Sequence, residues 1–173
     1  MKEYIFLSGI HGVGKSTLVK KLKNDIELEA FSISDLIRKA GNNIETSRKS
    51  TNNISMNQEM WKNELNNLEL SCSKLLLDGH FCLLNSENKI APLDFETFKG
   101  TNMVKIIFMK NKPQVISERL VKRDSIKYSN ELLTDFQETE MRQAIKYSRE
   151  NNVKLFIYDE VEPYSELIKF IRS

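Results

Sequence analysis

The feature that most constrains the fold is a glycine-rich stretch near the N-terminus, GIHGVGKST at residues 9–17. It follows an apolar run at residues 4–7 and precedes a helical pattern in which Leu18, Val19 and Leu22 share one face. A buried strand, a glycine-rich turn and a helix start, in this order, are what a phosphate-binding loop requires. The alternative is a turn that binds nothing, but three of the six glycines of the chain fall in this one stretch. The sequence therefore predicts a site for the terminal phosphates of a nucleotide.

The chemistry of such a loop assigns roles to its parts. Successive backbone N–H groups turn inward around the phosphates, and glycines allow the backbone to approach closely. We expect Lys15 to reach the β- and γ-phosphates of ATP and the Ser16 hydroxyl to bind Mg²⁺. The predicted nucleotide-binding residues are Gly9, His11, Gly12, Val13, Gly14, Lys15, Ser16 and Thr17.

Size, charge and cysteine content narrow the class of protein. With 173 residues, the chain is expected to form one domain over residues 1–173. The net charge of +2, from 26 basic and 24 acidic residues, indicates no nucleic-acid partner. Cys72 and Cys82 form neither a disulfide framework nor a zinc pattern. No apolar run approaches the ~18 residues of a membrane span, and the first residues match no signal peptide. A cytoplasmic protein without a membrane partner is expected.

Strand and helix patterns alternate along the chain. Strand patterns occur at residues 4–7, 28–33, 75–79, 104–109 and 153–158, and helical patterns at 15–23, 34–39, 58–73, from 113, 131–149 and 164–171. This alternation predicts an α/β fold with three layers, in which helices cover both faces of a five-stranded parallel sheet. Residues 41–57 are predicted to be a mobile segment on the acceptor side, and residues 119–131 a short lid.

The third predicted strand ends in Asp78. In a parallel sheet, ligands bind at the carboxyl ends of the strands, so this carboxylate is expected beside the phosphate loop. An apolar strand ending in aspartate is the usual arrangement for orienting Mg²⁺, and we predict that Asp78 binds the ion and acts in catalysis. The alternative is an ordinary aspartate before a turn.

Two arginines at helical spacing, Arg119 and Arg123, project from the same face of the helix that begins at Pro113. Phosphoryl transfer spreads negative charge over the moving group, and guanidinium groups suit that geometry. Both arginines are therefore predicted to be catalytic. The alternative is a charged surface helix.

A short helix capped by Ser34 or Asp35 is predicted after the second strand, and it carries Arg38. We predict that Asp35 and Arg38, with Arg48, bind the acceptor. The alternative for this segment is a plain capped helix with an arginine in solvent. The two histidines, His11 and His80, both fall in predicted site loops, where either could be a hydrogen-bonding spacer.

Taken in order, these segments resemble the adenylate kinase and small nucleotide kinase group of P-loop proteins. Residues 9–17 look like the ATP loop of that group, and residues 34–38 are similar to its Gly-Asp-Leu-Leu-Arg segment. Residues 75–79 look like its apolar-Asp-Gly strand end, and the last third of the chain looks most like the short-lid archaeal type. The resemblance implies a three-layer P-loop NTPase fold, ATP and Mg²⁺ as cofactors, and an Arg38 that binds the acceptor monophosphate.

The sequence also departs from this group. The group follows Asp-Gly with Phe-Pro-Arg, whereas this chain has His80, Phe81 and Cys82 there, so an arginine that binds phosphate is missing. Ser34 replaces the usual glycine, and the lid is too short for a zinc-bearing version and has no cysteines. These departures leave the acceptor open.

Three functions are consistent with these residues. The first is a nucleoside monophosphate kinase, in which Lys15 and the lid arginines stabilise the γ-phosphoryl group. The second is a kinase of a hydroxyl group on a nucleoside, sugar or other small molecule, with Asp78 or Asp35 as the base. The third is a regulatory NTPase or nucleotide sensor. A GTPase-type switch is disfavoured because residues 111–114 (NKPQ) lack the aspartate of the base-reading motif.

Overall fold

The computed structural model describes residues 1–40, 51–159 and 161–173. In chain order the elements are β1 (Glu3–Ser8), α1 (Lys15–Asp25), β2 (Glu29–Ser32), α2 (Ile33–Lys39), α3 (Thr51–Asn67), β3 (Leu75–Gly79), β4 (Cys82–Leu84), β5 (Ile90–Pro92), a 3-10 helix (Phe95–Phe98), β6 (Asn102–Met109), α4 (Pro113–Asp124), α5 (Asn130–Glu150), β7 (Lys154–Tyr158) and α6 (Tyr164–Arg172). None of the helices in these ranges has the length and apolar content of a membrane span.

Five of these strands form one parallel sheet in the order β2-β3-β1-β6-β7, which confirms the predicted sheet. β1 is central and pairs with β3 and β6, whereas β2 is an outer strand. The register aligns Ser32 with Asp78 and Ser8 with Gly79. The carboxyl ends of β2, β3 and β1 therefore lie side by side on one rim of the sheet.

Helices cover both faces of the sheet because the side chains of β1 alternate between its faces. Ile5 and Leu7 belong to one core cluster, together with residues of α1, α4 and α6. Tyr4 and Phe6 belong to a second cluster, together with residues of α2 and α3. The N-terminal half of α5 packs in the first cluster and its C-terminal half in the second. This packing confirms the predicted three layers.

The helix after β2 begins earlier than predicted. Its N-cap is Ser32, whose hydroxyl accepts a hydrogen bond from the Asp35 N–H at 3.0 Å. The prediction that Ser34 or Asp35 caps this helix is therefore wrong. The physical reason is that a serine at the end of a strand already has the extended backbone that an N-cap requires.

The long helix α3 also differs from its predicted range of 58–73. It ends at Asn67, and in the segment after it the Ser71 N–H donates to the Glu29 side chain of β2 instead of to a helical carbonyl. Its start at Thr51 places residues 51–57 of the predicted mobile segment in a helix. The rest of that segment, residues 41–50, lies outside the described residues, and so does Arg48.

A hairpin follows β3 that the sequence patterns did not reveal. Its strands, β4 and β5, are antiparallel and have only three residues each, too few for a clear alternation of apolar and polar side chains. Leu84 and Ile90, paired across the hairpin, pack against the first core cluster. The hairpin and the 3-10 helix fill the connection between β3 and β6.

The predicted lid at residues 119–131 comprises the last turns of α4, a link at residues 125–129 and the first residues of α5. Ser125 ends α4 with a left-handed backbone, φ 56°. Ser129 caps α5 by accepting a hydrogen bond from the Leu132 N–H at 3.1 Å. Closure of this link over a ligand stays a prediction.

Candidate active site

The loop between β1 and α1 has a backbone that glycine adopts readily and other residues rarely do. Gly9, Gly12 and Gly14 have φ values of 147°, 80° and 117°, which side chains rarely allow. A Cβ on Gly9 would lie 2.6 Å from the Met109 carbonyl oxygen at the end of β6. Glycine at position 9 therefore lets the loop lie close against the end of the neighbouring strand.

The first hydrogen bonds at the start of α1 run from the N–H groups of Thr17 and Leu18 to the Gly14 carbonyl, at 3.1 and 3.0 Å. The amides of Lys15 and Ser16 precede these bonds and lie at the positive end of the helix. This is the geometry in which a helix N-terminus binds an anion.

Lys15 lies at the centre of the site. Its side chain is 7% exposed, and its Nζ donates to the Gly9 carbonyl and lies 3.3 Å from Asp78 Oδ1. His80 Nδ1 is 3.4 Å from the same nitrogen. Burial lowers the pKa of the Lys15 ammonium, and the negative charges of Asp78 and Glu140 oppose that shift. The ammonium is thus surrounded by acceptors at the end of the phosphate loop.

Asp78 occupies the end of β3, opposite the loop, and its carboxyl is 23% exposed. Burial raises the pKa of this carboxyl, whereas the charge and hydrogen bond of Lys15 lower it. The charge of Asp35 contributes further to the rise in the Asp78 pKa, so the two carboxyls lie within electrostatic range of each other.

Glu140 lies on the buried face of α5, and no chemical role was predicted for it. The structure shows its carboxylate fully buried and bonded to Ser8 Oγ at 2.5 Å and to the Cys82 N–H at 2.5 Å. Burial raises the pKa of Glu140, and the hydrogen bond from Ser8 opposes that rise. In the sequence, Glu140 could have been recognised as a charged residue in the apolar stripe formed by Phe136 and Ala144.

The two histidines meet across the site, with ring centroids 4.3 Å apart. His11 comes from the phosphate loop and His80 from the residue after β3. Since His80 also contacts Lys15, the pair joins the loop to the end of the strand that carries Asp78.

Arg119 contacts the phosphate loop directly. Its Nη1 donates to the Val13 carbonyl at 2.7 Å and lies 2.9 Å from where a Cβ on Gly14 would be. Asn111 Nδ2 approaches the same carbonyl at 3.5 Å. In contrast, Arg123 donates to its neighbour Asp124 at 2.8 and 2.6 Å. The structure therefore brings one of the two predicted lid arginines to the loop, and a catalytic role for Arg123 stays a prediction.

Two of the three predicted acceptor residues, Asp35 and Arg38, lie in α2, which directly follows the outer strand β2. Arg38 donates to Asp35, and both side chains are more than half exposed, at 59% and 52%. The Ser32 hydroxyl donates to the second Asp35 oxygen at 2.6 Å. Asp35 is thus held by two donors at the rim of the sheet.

ATP and Mg²⁺ fit the chemistry of these residues. Ser16 and Asp78 offer oxygen atoms, which Mg²⁺ prefers. Within the described ranges, no group of three or more His, Cys, Asp or Glu side chains could hold a metal ion by itself. Mg²⁺ in nucleotide sites is commonly bound by one or two protein oxygens together with phosphates and water, so Ser16 and Asp78 suit that role.

The parallel sheet, the glycine loop and the buried Lys15 define a P-loop NTPase. The chain belongs to the family described as AAA domain, which it matches over residues 8–137. None of the curated proteins compared with the chain matches it.

Two solved structures share the fold. A gluconokinase from Sinorhizobium meliloti 1021 has 16% identity and a TM-score of 0.50, over 98% of this chain and 89% of that one. TT1252 from Thermus thermophilus has 14% identity and a TM-score of 0.58, over 99% of this chain and 95% of that one. These comparisons confirm the predicted α/β P-loop fold. The narrower resemblance to adenylate kinase and its short-lid type stays a prediction.

Proposed function

We propose that this protein is an ATP- and Mg²⁺-dependent phosphotransferase whose acceptor is a hydroxyl group of a small molecule. The observation that carries the proposal is the pairing of Lys15 with Asp78 at 3.3 Å, with Asp35 close enough to raise the pKa of Asp78. Lys15 of the phosphate loop and Asp78 serve the donor, and Asp35, in the helix after the outer strand, serves the acceptor.

On the donor side, the loop amides and Lys15 bind the terminal phosphates. Ser16 and Asp78 would hold Mg²⁺, which neutralises phosphate charge when it is bound. Arg119, on the Val13 carbonyl, supports the loop and adds positive charge beside it. Together these groups stabilise the charge that develops on the transferred group.

On the acceptor side, Asp35 orients the hydroxyl and accepts its proton as the new O–P bond forms. The Ser32 hydroxyl and Arg38 hold this carboxylate in place. A substrate that covers the rim would exclude water from a carboxylate that is half exposed in the free protein.

Charge favours a hydroxyl over a phosphate as the acceptor. Asp35 places a carboxylate beside the acceptor, and its negative charge would repel a monophosphate dianion. Arg38 is already bonded to Asp35. The three residues after Gly79 are His80, Phe81 and Cys82. This described segment therefore carries no guanidinium group.

A nucleoside monophosphate kinase is the second candidate, and one observation favours it. The Arg38 guanidinium is 59% exposed and donates to Asp35 through Nη2, and a guanidinium has further N–H donors that suit a phosphate. The segment that carries Arg38 is also the one that resembles adenylate kinases.

The test is ADP formation from ATP and Mg²⁺ in the presence of separate panels of sugars, sugar acids, nucleosides and nucleoside monophosphates. Acceleration by hydroxyl compounds alone supports the proposal, and acceleration by a monophosphate supports the second candidate instead. Slow hydrolysis that no acceptor changes would indicate a regulatory NTPase. Lys15→Met should abolish ADP formation, whereas Lys20→Met, an exposed lysine of the same helix, should leave it unchanged.

The role of Asp35 is tested with the acceptor found in that panel. Asp35→Asn should lower kcat about 100-fold or more, in the range expected for loss of a general base, with little change in KM for ATP. Asp135→Asn, an exposed aspartate of α5, is the matched control. An unchanged kcat in Asp35→Asn would remove Asp35 from the mechanism.

A further inference from the structure

We infer that Glu140 is a positioning residue, which sets the spacing between the phosphate loop and Asp78 by bonding to the ends of both strands that carry them. The inference rests on the proposed function, because the spacing matters only if loop and carboxylate act on the same nucleotide. Nothing in the predicted motifs assigned Glu140 a role.

The contacts of Glu140 join the ends of two strands. Its Oε1 accepts from Ser8 Oγ at 2.5 Å and from the Phe81 N–H at 2.8 Å, and its Oε2 accepts from the Cys82 N–H at 2.5 Å. Ser8 is the last residue of β1, directly before the loop, and Phe81 follows β3. A single side chain of α5 therefore bonds to both segments that carry the site.

The chemistry of these contacts explains why the residue is acidic. Every one of the hydrogen bonds is donated to Glu140, and a carboxylate accepts on both oxygens without needing an acceptor in return. An apolar side chain would pack in the stripe as Phe136 and Ala144 do. It would leave buried donors without a partner, however, which is costly. The hydrogen-bond donors at the strand ends, and not the packing of α5, therefore explain why this residue is a glutamate.

Glu140 also acts on Lys15 through charge. Its negative charge raises the pKa of the Lys15 ammonium against the effect of burial, second only to Asp78 among the opposing groups.

Beyond the last paired residues, Ser8 and Gly79, the sheet itself no longer fixes the two segments to each other. A displacement of about 1 Å at a reacting centre can cost roughly 100-fold in rate, so this support matters for function.

The test uses ADP binding, measured by calorimetry with and without MgCl₂, so that it needs no acceptor. In the wild-type chain, Mg²⁺ should tighten ADP binding through Ser16 and Asp78. Glu140→Gln keeps the shape but removes the charge and one acceptor, and it should reduce the Mg²⁺ effect about 10-fold, as losses of groups that orient a metal site do. Glu138→Gln, the same change at an exposed position of α5, should have no effect.

A double variant separates positioning from general destabilisation. If Glu140 acts through Asp78, Glu140→Gln combined with Asp78→Asn should lose no more of the Mg²⁺ effect than Asp78→Asn alone. The inference would be overturned if the double variant lost the product of the two single losses of the Mg²⁺ effect. It would also be overturned if Glu140→Gln alone kept the wild-type Mg²⁺ effect. A purely structural role would lower the unfolding temperature and leave the Mg²⁺ effect of the folded protein intact.

Ser8→Ala keeps the inference testable if Glu140→Gln does not fold. It removes the bond to β1 but leaves both backbone N–H groups bonded to Glu140, so the Mg²⁺ effect should fall in the same direction and by less. A Ser8→Ala protein with an unchanged Mg²⁺ effect argues against the inference. A wild-type chain that binds no ADP would instead refute the proposed function, and the two failures are therefore distinguishable.

Discussion

The four-residue spacing of Arg119 and Arg123 predicts that they share one face of a helix, but their surroundings in the structure differ. Arg119 bonds to the loop at Val13, and Arg123 bonds to Asp124, its neighbour in the chain. Helical periodicity predicts that both project from one face, but it does not determine which of them reaches the loop. That depends on where α4 crosses the end of β1, which is a tertiary property.

We expect Arg119→Ala to weaken binding of Mg²⁺-ADP about 10-fold or more, because a hydrogen bond from a charged donor contributes roughly 1.5–3 kcal/mol. Isothermal calorimetry of the purified variants measures this effect. Arg149→Ala, an exposed arginine of α5, is the control and should bind as the wild type does. Equal affinities for the Arg119→Ala and wild-type proteins would show that the contact with Val13 does not support nucleotide binding.

Residues whose chemistry is local were found from the sequence, and those whose chemistry depends on distant contacts were not. The phosphate loop at residues 9–17 could be recognised from the sequence because the glycines, Lys15 and the following helix are contiguous. Asp78 could be identified because it ends an apolar strand. Glu140 contacts Ser8, 132 positions away in the chain, and only the fold brings them together. An acidic residue inside an apolar stripe was its only trace in the sequence.

At the scale of elements, long segments with strong periodicity were predicted well. The strand Leu75–Gly79 and the helix Asn130–Glu150 lie where the pattern places them. The hairpin of β4 and β5 was missed because its strands have only three residues each, fewer than the four to eight over which alternation reveals a strand. The cap of α2 was misplaced because three nearby residues, Ser32, Ser34 and Asp35, all have cap chemistry.

The contact between β2 and the turn before β3 is expected to make stability depend on pH. Glu29 accepts hydrogen bonds from the Ser71 N–H at 2.5 Å and from its hydroxyl at 3.0 Å, and the backbone bond is the main reason that the pKa of Glu29 is lowered from about 4.5. Because the folded state binds the proton less tightly, this contribution is present above pH 4.5 and is lost as the pH falls through the lowered pKa.

Urea unfolding between pH 3 and pH 6 tests this expectation. Glu29→Gln should be less stable than the wild type at pH 6, and the difference should shrink as the pH falls. Glu27→Gln, at an exposed position just before β2, is the control and should follow the wild-type curve. A constant difference between Glu29→Gln and wild type across this range would mean that the ionised carboxylate is not what stabilises the turn.

At the scale of the whole molecule, the loop, Asp78 and Asp35 come from three neighbouring strands, and Glu140 from the long helix. Binding a nucleotide therefore engages several parts of the fold at once. We expect Mg²⁺-ADP at about 100 times its Kd to stabilise the folded protein by about 2.7 kcal/mol. For a chain of this size, that corresponds to a rise in Tm of roughly 5–10 °C.

Differential scanning fluorimetry with a series of ADP concentrations measures this rise. Lys15→Met should show little or none of it, because the ligand loses its contact with the buried ammonium. Lys20→Met should respond as the wild type does. A Tm that does not change with ADP in the wild type would contradict a nucleotide site in the loop.

The position of β2 at the border of the sheet separates the two halves of the proposed reaction. The phosphate loop follows the central strand, which is held by partners on both sides, while Asp35 and Arg38 follow a strand with one partner. A change in the β2–α2 corner should therefore affect the phosphate loop less than a change in β1 would. Substitutions in that corner would then alter which acceptor is phosphorylated, while ATP remains the phosphoryl donor.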